Sequence, residues 1–341
     1  MSDIHVGKLS PDRMNALIAG RLGASDSRIV MGPGAGLDFG VTDCGNGMVM
    51  AIAEDPIFPA AGLPLEMMGE FTVHIGASDV AVSGIRPEFM TYSLLLPPGT
   101  PVEETEKIIQ KISDTAKSLD IAIVGGHTGW YSAVSLPIVG GITVWGFAGK
   151  DEWTSPGGAR PGDALLMTKG PAIEAAALLG VLYSQKDTPL PPETVSALLG
   201  RVSQITVVED ALTAWAAGGV HAMHDATEGG VYGGMWEMKN AAGAGLEAVL
   251  SRDMVPADIQ ALADYLSFDP WTVISEGTLL AAVSPGSVEA VRAAWSKKGI
   301  KSEVVGTFTD GRSSLVRDGR ETGFPEPETD PFWNLFDNAL S

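Results

Sequence analysis

The chain has a single cysteine, Cys44, among its 341 residues. That excludes an intramolecular disulfide and a cysteine-based zinc site. Basic residues are scarce: 22 Lys and Arg stand against 42 Asp and Glu, for a net charge of −20. Such a surface repels nucleic-acid backbones and anionic membranes, and it keeps a protein soluble. Apolar runs are broken by Gly, Pro or charge well short of the ~20 residues that span a bilayer. The start, Met1-Ser2-Asp3-Ile4-His5, has no basic segment followed by an apolar one, so it does not read as a signal peptide. We expect a cytoplasmic protein that binds neither nucleic acid nor membrane. Also missing are a Walker A pattern, an H-E-x-x-H and a true G-x-G-x-x-G, since Gly32-Pro33-Gly34-Ala35-Gly36 has the wrong spacing. His221 and His224 lie close together, but no third ligand is evident, which argues against a catalytic zinc.

Four acidic stretches, separated by glycine, stand out. They are Gly36-Leu37-Asp38-Phe39-Gly40, Glu54-Asp55-Pro56, Ser78-Asp79-Val80-Ala81 and Met223-His224-Asp225-Ala226-Thr227-Glu228-Gly229-Gly230. Carboxylates and phosphates repel each other, so this many acids can hold a nucleotide only through divalent cations. Mg²⁺ is the natural bridge.

Length favours two domains. We place them at 1–152 and 153–320, divided in the Gly- and Pro-rich stretch 151–162, with an acidic, aromatic tail at 321–341. Ser10-Pro11 opens a helix that Gly23 closes, with Ser10 as its cap. Further helices are expected over 66–82, 173–182, 192–199, 202–217, 230–242, 258–266 and 288–298. Thr100-Pro101-Val102-Glu103 reads as a capping box before a long amphipathic helix ending at Leu119. Strands are expected at 28–31, 48–53, 89–96, 121–124, 137–147, 164–168, 220–224, 246–250, 278–283 and 303–308. This interleaving gives a mixed α/β (α+β) class. Phe332, Trp333, Leu335 and Phe336 should dock the tail on the body or on a partner subunit.

Each candidate residue has two readings. Asp79 reads as a helix cap or a metal ligand. Asp225, with Thr227, Gly229 and Gly230, reads as an ordinary N-cap or as a phosphate cradle at a helix N-terminus. Asp55 ends a strand as a turn residue or a ligand. Lys169, between Thr168 and Gly170, is a solvated lysine or a phosphate contact. His127, in Gly125-Gly126-His127-Thr128, is structural or catalytic, and Glu276 is a turn carboxylate or a general base.

The order of these segments resembles the superfamily of aminoimidazole ribonucleotide synthetase (PurM), the hydrogenase-maturation protein HypE, selenophosphate synthetase and thiamine-monophosphate kinase. Ser78-Asp79-Val80-Ala81-Val82-Ser83-Gly84-Ile85-Arg86-Pro87 is similar to the family's N/S-D-[LV]-x-x-M-G-x-x-P segment, and Met223 to Gly230 to its M-x-D-x-T-x-G-G signature. Phe268-Asp269-Pro270 and Ser275-Glu276-Gly277 resemble the HypE L-D-P and E-G pattern, and Val304-Val305-Gly306 the terminal I-I-G strand. The resemblance implies a two-domain PurM/HypE-like fold whose N-terminal sheets pair across a homodimer, with ATP bound there. It implies Asp38, Asp55, Asp79 and Asp225 as Mg²⁺ ligands, with Gly126, Thr128 and Lys169 near the phosphates. His127, Glu276 and Lys169 are the implied catalytic groups.

The chemistry implied is ATP- and Mg²⁺-dependent activation of a substrate oxygen or nucleophile by phosphoryl transfer. A HypE-like amide or carbamoyl dehydration in metallocofactor maturation is one form of it. HypE ends in a reactive cysteine. This sequence ends Asn338-Ala339-Leu340-Ser341, so the substrate is expected free or on another protein. A selenophosphate synthetase has a Cys or Sec with a lysine near its start, and nothing before Asp38 supplies that pair. The alternatives are a nucleotide-binding but non-catalytic maturation partner, and a small-metabolite kinase of the thiamine-monophosphate type.

Overall fold

The computed structural model describes residues 7–57, 61–135, 139–327 and 329–340. In the first half, strands β1 (Ile29–Met31), β2 (Gly40–Gly45), β3 (Met48–Ile57), β4 (Phe89–Leu96), β5 (Ala122–Trp130) and β6 (Val139–Gly149) form one sheet in the order β1-β2-β3-β6-β4-β5. Its pairs are antiparallel except β4–β5, which are parallel because α3 (Val102–Ser118) carries the chain back between them. The expected helix at the start is shorter: α1 (Pro11–Met14) runs into a π-helical turn at Asn15–Ala19. Leu17 and Ile18 are exposed there, so no buried face extends it.

Helices α2 (Leu65–Ala81) and α3 cover one face of this sheet. In α3, Thr105, Ile108, Ile112, Thr115 and Ala116 point inward at helical spacing. Gly69 lets the two helices touch, since a Cβ there would sit 2.8 Å from the Ile108 carbonyl. The capping box does not form. Pro101 occupies the cap position, and the Thr100 hydroxyl donates to the Pro97 carbonyl at 2.9 Å.

Alternation along β3 and β6 buries Val49, Ala51, Ala53, Ile142 and Val144 under the helices. The opposite face stays partly open and carries Met50, Ile52, Phe89, Trp145 and Phe147. Phe89 stacks on Trp145 with ring centroids 6.0 Å apart. Residues 136–138, where the sixth strand was expected to begin, lie outside the described residues.

The second half holds a seven-stranded sheet. Its strands are β7 (Ala164–Thr168), β8 (Val220–Asp225), β9 (Gly245–Leu250), β10 (Leu279–Val283), β11 (Ser302–Thr309), β12 (Ser314–Arg317) and β13 (Arg320–Thr322), in the order β13-β12-β9-β11-β7-β10-β8. Its helices are α4 (Ile173–Ser184), α5 (Pro192–Leu199), α6 (Val208–Ala217), α7 (Gly230–Ala241), α8 (Ala257–Leu266), α9 (Val288–Lys297) and α10 (Phe332–Leu340). The helix expected over 202–217 begins only at Val208, after a 3₁₀ turn at Gly200–Gln204.

Strand β10 is buried on both faces, which explains its unbroken apolar sequence. Leu280 and Ala282 join the core with α4, α5, α7 and α8. Leu279, Ala281 and Val283 join a core continuous with that of the first sheet. The two halves therefore share apolar packing. The tail docks on the body, where α10 buries Phe332, Phe336 and Ala339 against the second core. No helix among the described residues is long and apolar enough to cross a membrane.

Candidate functional site

The acids from both halves meet where these halves join. Asp38 lies just before β2. Asp55 lies on β3, in phase with inward-facing Ala51 and Ala53. Asp79 is in the last turn of α2. Gly76, one turn earlier, lets α2 press on the sheet beside Asp55, since a Cβ there would be 3.0 Å from Val144 Cγ2. From the second half, Asp225 ends β8 and is fully buried, and Glu276 precedes β10 and is also buried. Glu174 enters from the first turn of α4.

Electrostatics shows how closely the group is drawn together. Burial, then the neighbouring Asp55, Asp225, Asp38 and Glu276, pushes the Asp79 carboxyl well above its ordinary value. Burial likewise lifts Asp38 to about 6, with Asp225 adding to the rise and His224 and Lys8 opposing it. Asp55 is lifted to about 6, chiefly by burial and against a hydrogen bond with Asp79. Burial, then Asp225, raises Glu276, and burial takes Glu174 to about 7. Asp55 Oδ2, both Asp225 oxygens and both Glu276 oxygens are buried without a donor. A set of buried oxygens short of protons or donors fits a hard divalent cation.

Besides Glu174, reasoning from sequence passed over four residues here. His224 is fully buried, with Nδ1 2.6 Å from Asp38 Oδ2 and Nε2 2.8 Å from Glu237 Oε2. Burial opposes its charge, but the two carboxylates outweigh that and raise its pKa well above the ordinary value. Asp38, His224 and Asp225 offer ligand atoms that all lie within 4.8 Å of one another. Lys8 is the third. Its surface area marks it as exposed, so the protein crowds its ammonium without sealing it off. Burial works against that charge, and the acids Glu237, Asp38, Asp79 and Asp225 more than offset it, raising its pKa. The fourth is Glu228, whose Oε2 accepts the Lys8 backbone N–H at 2.7 Å. Lys8 has no cysteine beside it, so the pair expected of a selenophosphate synthetase stays absent before Asp38.

Other candidates lie apart from the acids or are already engaged. Lys169 has its ammonium on Asp210 Oδ1 at 3.0 Å and on the Thr206 carbonyl at 2.6 Å. Lys169 is therefore not the solvated lysine of the plainer reading: it is the counter-ion of a buried aspartate. Gly125, Gly126, His127 and Thr128 do not end a strand but lie within β5, the exposed edge of the first sheet. His127 stacks on Tyr131 and hydrogen-bonds its hydroxyl. A Cβ on Gly126 would meet the Tyr92 carbonyl at 2.2 Å.

Thr227 shapes the turn into α7, with its carbonyl accepting from Gly230 N–H at 3.0 Å. Gly229 and Gly230 take left-handed backbone angles, φ 79° and 62°. The Gly229 N–H is bonded at 2.8 Å to the Asp330 carboxyl of the tail, which also caps Phe332 N–H at 2.8 Å. The α7 cradle is therefore filled by the chain itself. His221 bonds Asp163 at 2.9 Å, away from His224.

Two family models match the chain: the N-terminal domain of AIR synthase related proteins over residues 36–148 and the C-terminal domain over residues 160–318. Carbamoyl dehydratase HypE of Cupriavidus necator is 27% identical over 282 residues, covering 80% of this chain and 74% of that protein. Escherichia coli HypE is 28% identical, over 70% of this chain and 68% of its own length. Among solved structures, hydrogenase maturation protein HypE in complex with ATP superposes with a TM-score of 0.68 at 18% identity, covering 96% and 97% of the two chains. Aquifex aeolicus thiamine-monophosphate kinase, complexed with AMPPCP and TMP, gives a TM-score of 0.68 at 17% identity over 84% and 89%. With the two sheets, the shared core and both matched models, the chain belongs to the AIR synthase related family, and within it is HypE-like.

Proposed function

We propose that this protein is an ATP- and Mg²⁺-dependent, HypE-like enzyme that activates an amide- or carbamoyl-type oxygen by phosphoryl transfer. The observation that carries this reading is the convergence of Asp38, Asp55, Asp79 and Asp225 from both halves, with buried oxygens that lack donors. Those four acids would hold the cations. ATP supplies the phosphoryl group and Mg²⁺ neutralises its charge. The chain's own part is to position these charges and keep water out. Glu276, which holds its proton above the usual range, is suited to give a proton to a leaving oxygen. His127 serves as a second proton carrier only if β5 reaches a nucleotide. We infer that a homodimer achieves this, pairing on the partly open aromatic face of the first sheet. Exposed Ile123, Val124, Trp130 and Tyr131 on and beside β5 support such pairing.

We retain 1–152 and 153–320 as the working division, although β13 carries the second sheet on to Thr322. The solved HypE–HypF complex is the precedent for a maturation partner. Calorimetric titration with ATP, with and without Mg²⁺, tests the binding claim. ADP release with a carbamoyl or thiocarboxamide compound tests the chemistry. Absence of Mg²⁺-dependent ATP binding refutes the proposal. The likeness to thiamine-monophosphate kinase favours a second reading, in which a small metabolite is phosphorylated. A stable phosphorylated product found by mass spectrometry would select it.

A further inference from the structure

We propose that Asp38, His224 and Asp225 form a site for a first-row transition-metal dication, distinct in ligand type from the all-oxygen remainder of the acid cluster. The proposal shares Asp38 and Asp225 with the nucleotide reading and deepens it, but its ligand set stands without nucleotide.

Three observations carry it. The donor set is one imidazole nitrogen and two carboxylates, with ligand atoms mutually within 4.8 Å and side chains at most 5% exposed. Second, His224 Nε2 lies 2.8 Å from Glu237 Oε2. A ring that donates Nε2–H to a carboxylate presents Nδ1 as its ligand atom, the arrangement that orients metal-bound histidines. Here Nδ1 faces Asp38 at 2.6 Å and Asp225 at 3.9 Å. Third, both Asp225 oxygens are fully buried and accept no hydrogen bond. Gly234 on α7 lets the helix lie close to β10 and β8, since a Cβ there would meet Leu280 Cδ1 at 2.9 Å and His224 Cδ2 at 3.4 Å.

Imidazole favours Fe²⁺ and Zn²⁺ and is a weaker partner for Mn²⁺, whereas Mg²⁺ holds to oxygen ligands and water. One nitrogen among the acids therefore discriminates between ions that carboxylates alone would treat much alike. On binding, the ion replaces the proton at Nδ1, which leaves to solvent, while Nε2 keeps its own on Glu237. The competing account is a charged histidine bridging two acids, with no preference among divalent ions.

The test uses the full-length protein freed of metal and without nucleotide. Mn²⁺ is added and its electron-spin-echo modulation recorded. The proposal expects a ¹⁴N coupling from a directly bound imidazole. It also expects Mn²⁺ to bind at least about tenfold more tightly than Mg²⁺ in competition. Glu237→Gln, which keeps an acceptor for Nε2–H, should weaken Mn²⁺ about 10- to 100-fold and leave Mg²⁺ nearly unchanged. Modulation from oxygen-bound water alone, or equal Mn²⁺ and Mg²⁺ affinities, overturns it. The wild-type spectrum decides the matter even if a variant folds poorly. Nitrogen coupling without any ATP binding would sink the nucleotide reading and leave this one standing, and the reverse pattern would do the opposite.

Discussion

Asp55→Asn separates the cost of the acid cluster from its use. In the free protein the Asp55 carboxyl is lifted from 3.8 to about 6, first by burial. A carboxyl raised on folding binds its proton more tightly in the folded state. Its contribution to stability is therefore full below 3.8, declines as pH climbs to about 6, and stays reduced above that. The gap corresponds to about 3 kcal/mol at neutral pH, an upper figure because neighbouring acids share the effect. Asparagine has no proton to lose, and its amide can donate to Asp79. The variant should thus melt higher than the parent at pH 7.5 without metal, by about 5 °C. The stabilisation conferred by millimolar Mg²⁺ and ATP should shrink at the same time, because one cation ligand is gone. Scanning calorimetry with and without Mg²⁺–ATP reads both signs. If Asp55→Asn melts lower than the parent without metal, or if Mg²⁺–ATP raises both proteins equally, the reasoning fails.

Lys169→Met strands the buried Asp210 charge and should cost about 3–5 kcal/mol in denaturant titration. Nucleotide affinity should change less than about threefold, in contrast to a phosphate contact. Adding Asp210→Asn should restore most of the stability. Asp330→Ala removes the acceptor of the Gly229 and Phe332 N–H groups and should destabilise by about 1–2 kcal/mol. Hydrogen exchange should rise together at the start of α7 and in α10. Lys8→Met withdraws a cation that competes for the same carboxylates, so free Mn²⁺ should bind several-fold more tightly by direct titration.

Much of the architecture could be read from periodicity. Strands β3, β4, β7 and β10 and helices α3, α7 and α9 announce themselves by alternating or helical apolar spacing, or by short buried runs. Strand β2 escaped notice because Gly40, Asp43 and Gly45 break its pattern, and only its pairing with β3 through Asn46 and Gly47 fixes it. Strands β12 and β13 are short and half exposed, so their hairpin leaves little trace. The split of 202–217 rests on a 3₁₀ turn that a 3.6-residue period cannot distinguish from helix.

Asp38 and Glu276 were legible because glycines stand near them, whereas Asp55 and Asp79 were picked out by the order of segments on which the resemblance rests. Glu237 and Lys8 were not, because nothing local marks them: one is a polar residue on a helix, the other a lone lysine in a bend ahead of α1. His224 was weighed only against nearby histidines, yet its partner Asp38 lies 186 residues away in sequence. Lys169 misled for a related reason. A lysine after a strand looks free until the fold brings Asp210 beneath it.

The Asp38–His224 hydrogen bond ties a loop of the first half to a strand of the second, beside the carboxylates that both halves supply. The pocket is thus a hinge pin as well as a cage. Any change in what sits between Asp38 and His224 alters how firmly the two lobes grip each other, and a lobe produced by itself would carry only half of the cage. Assembly of the ligand set and closure of the molecule are one event.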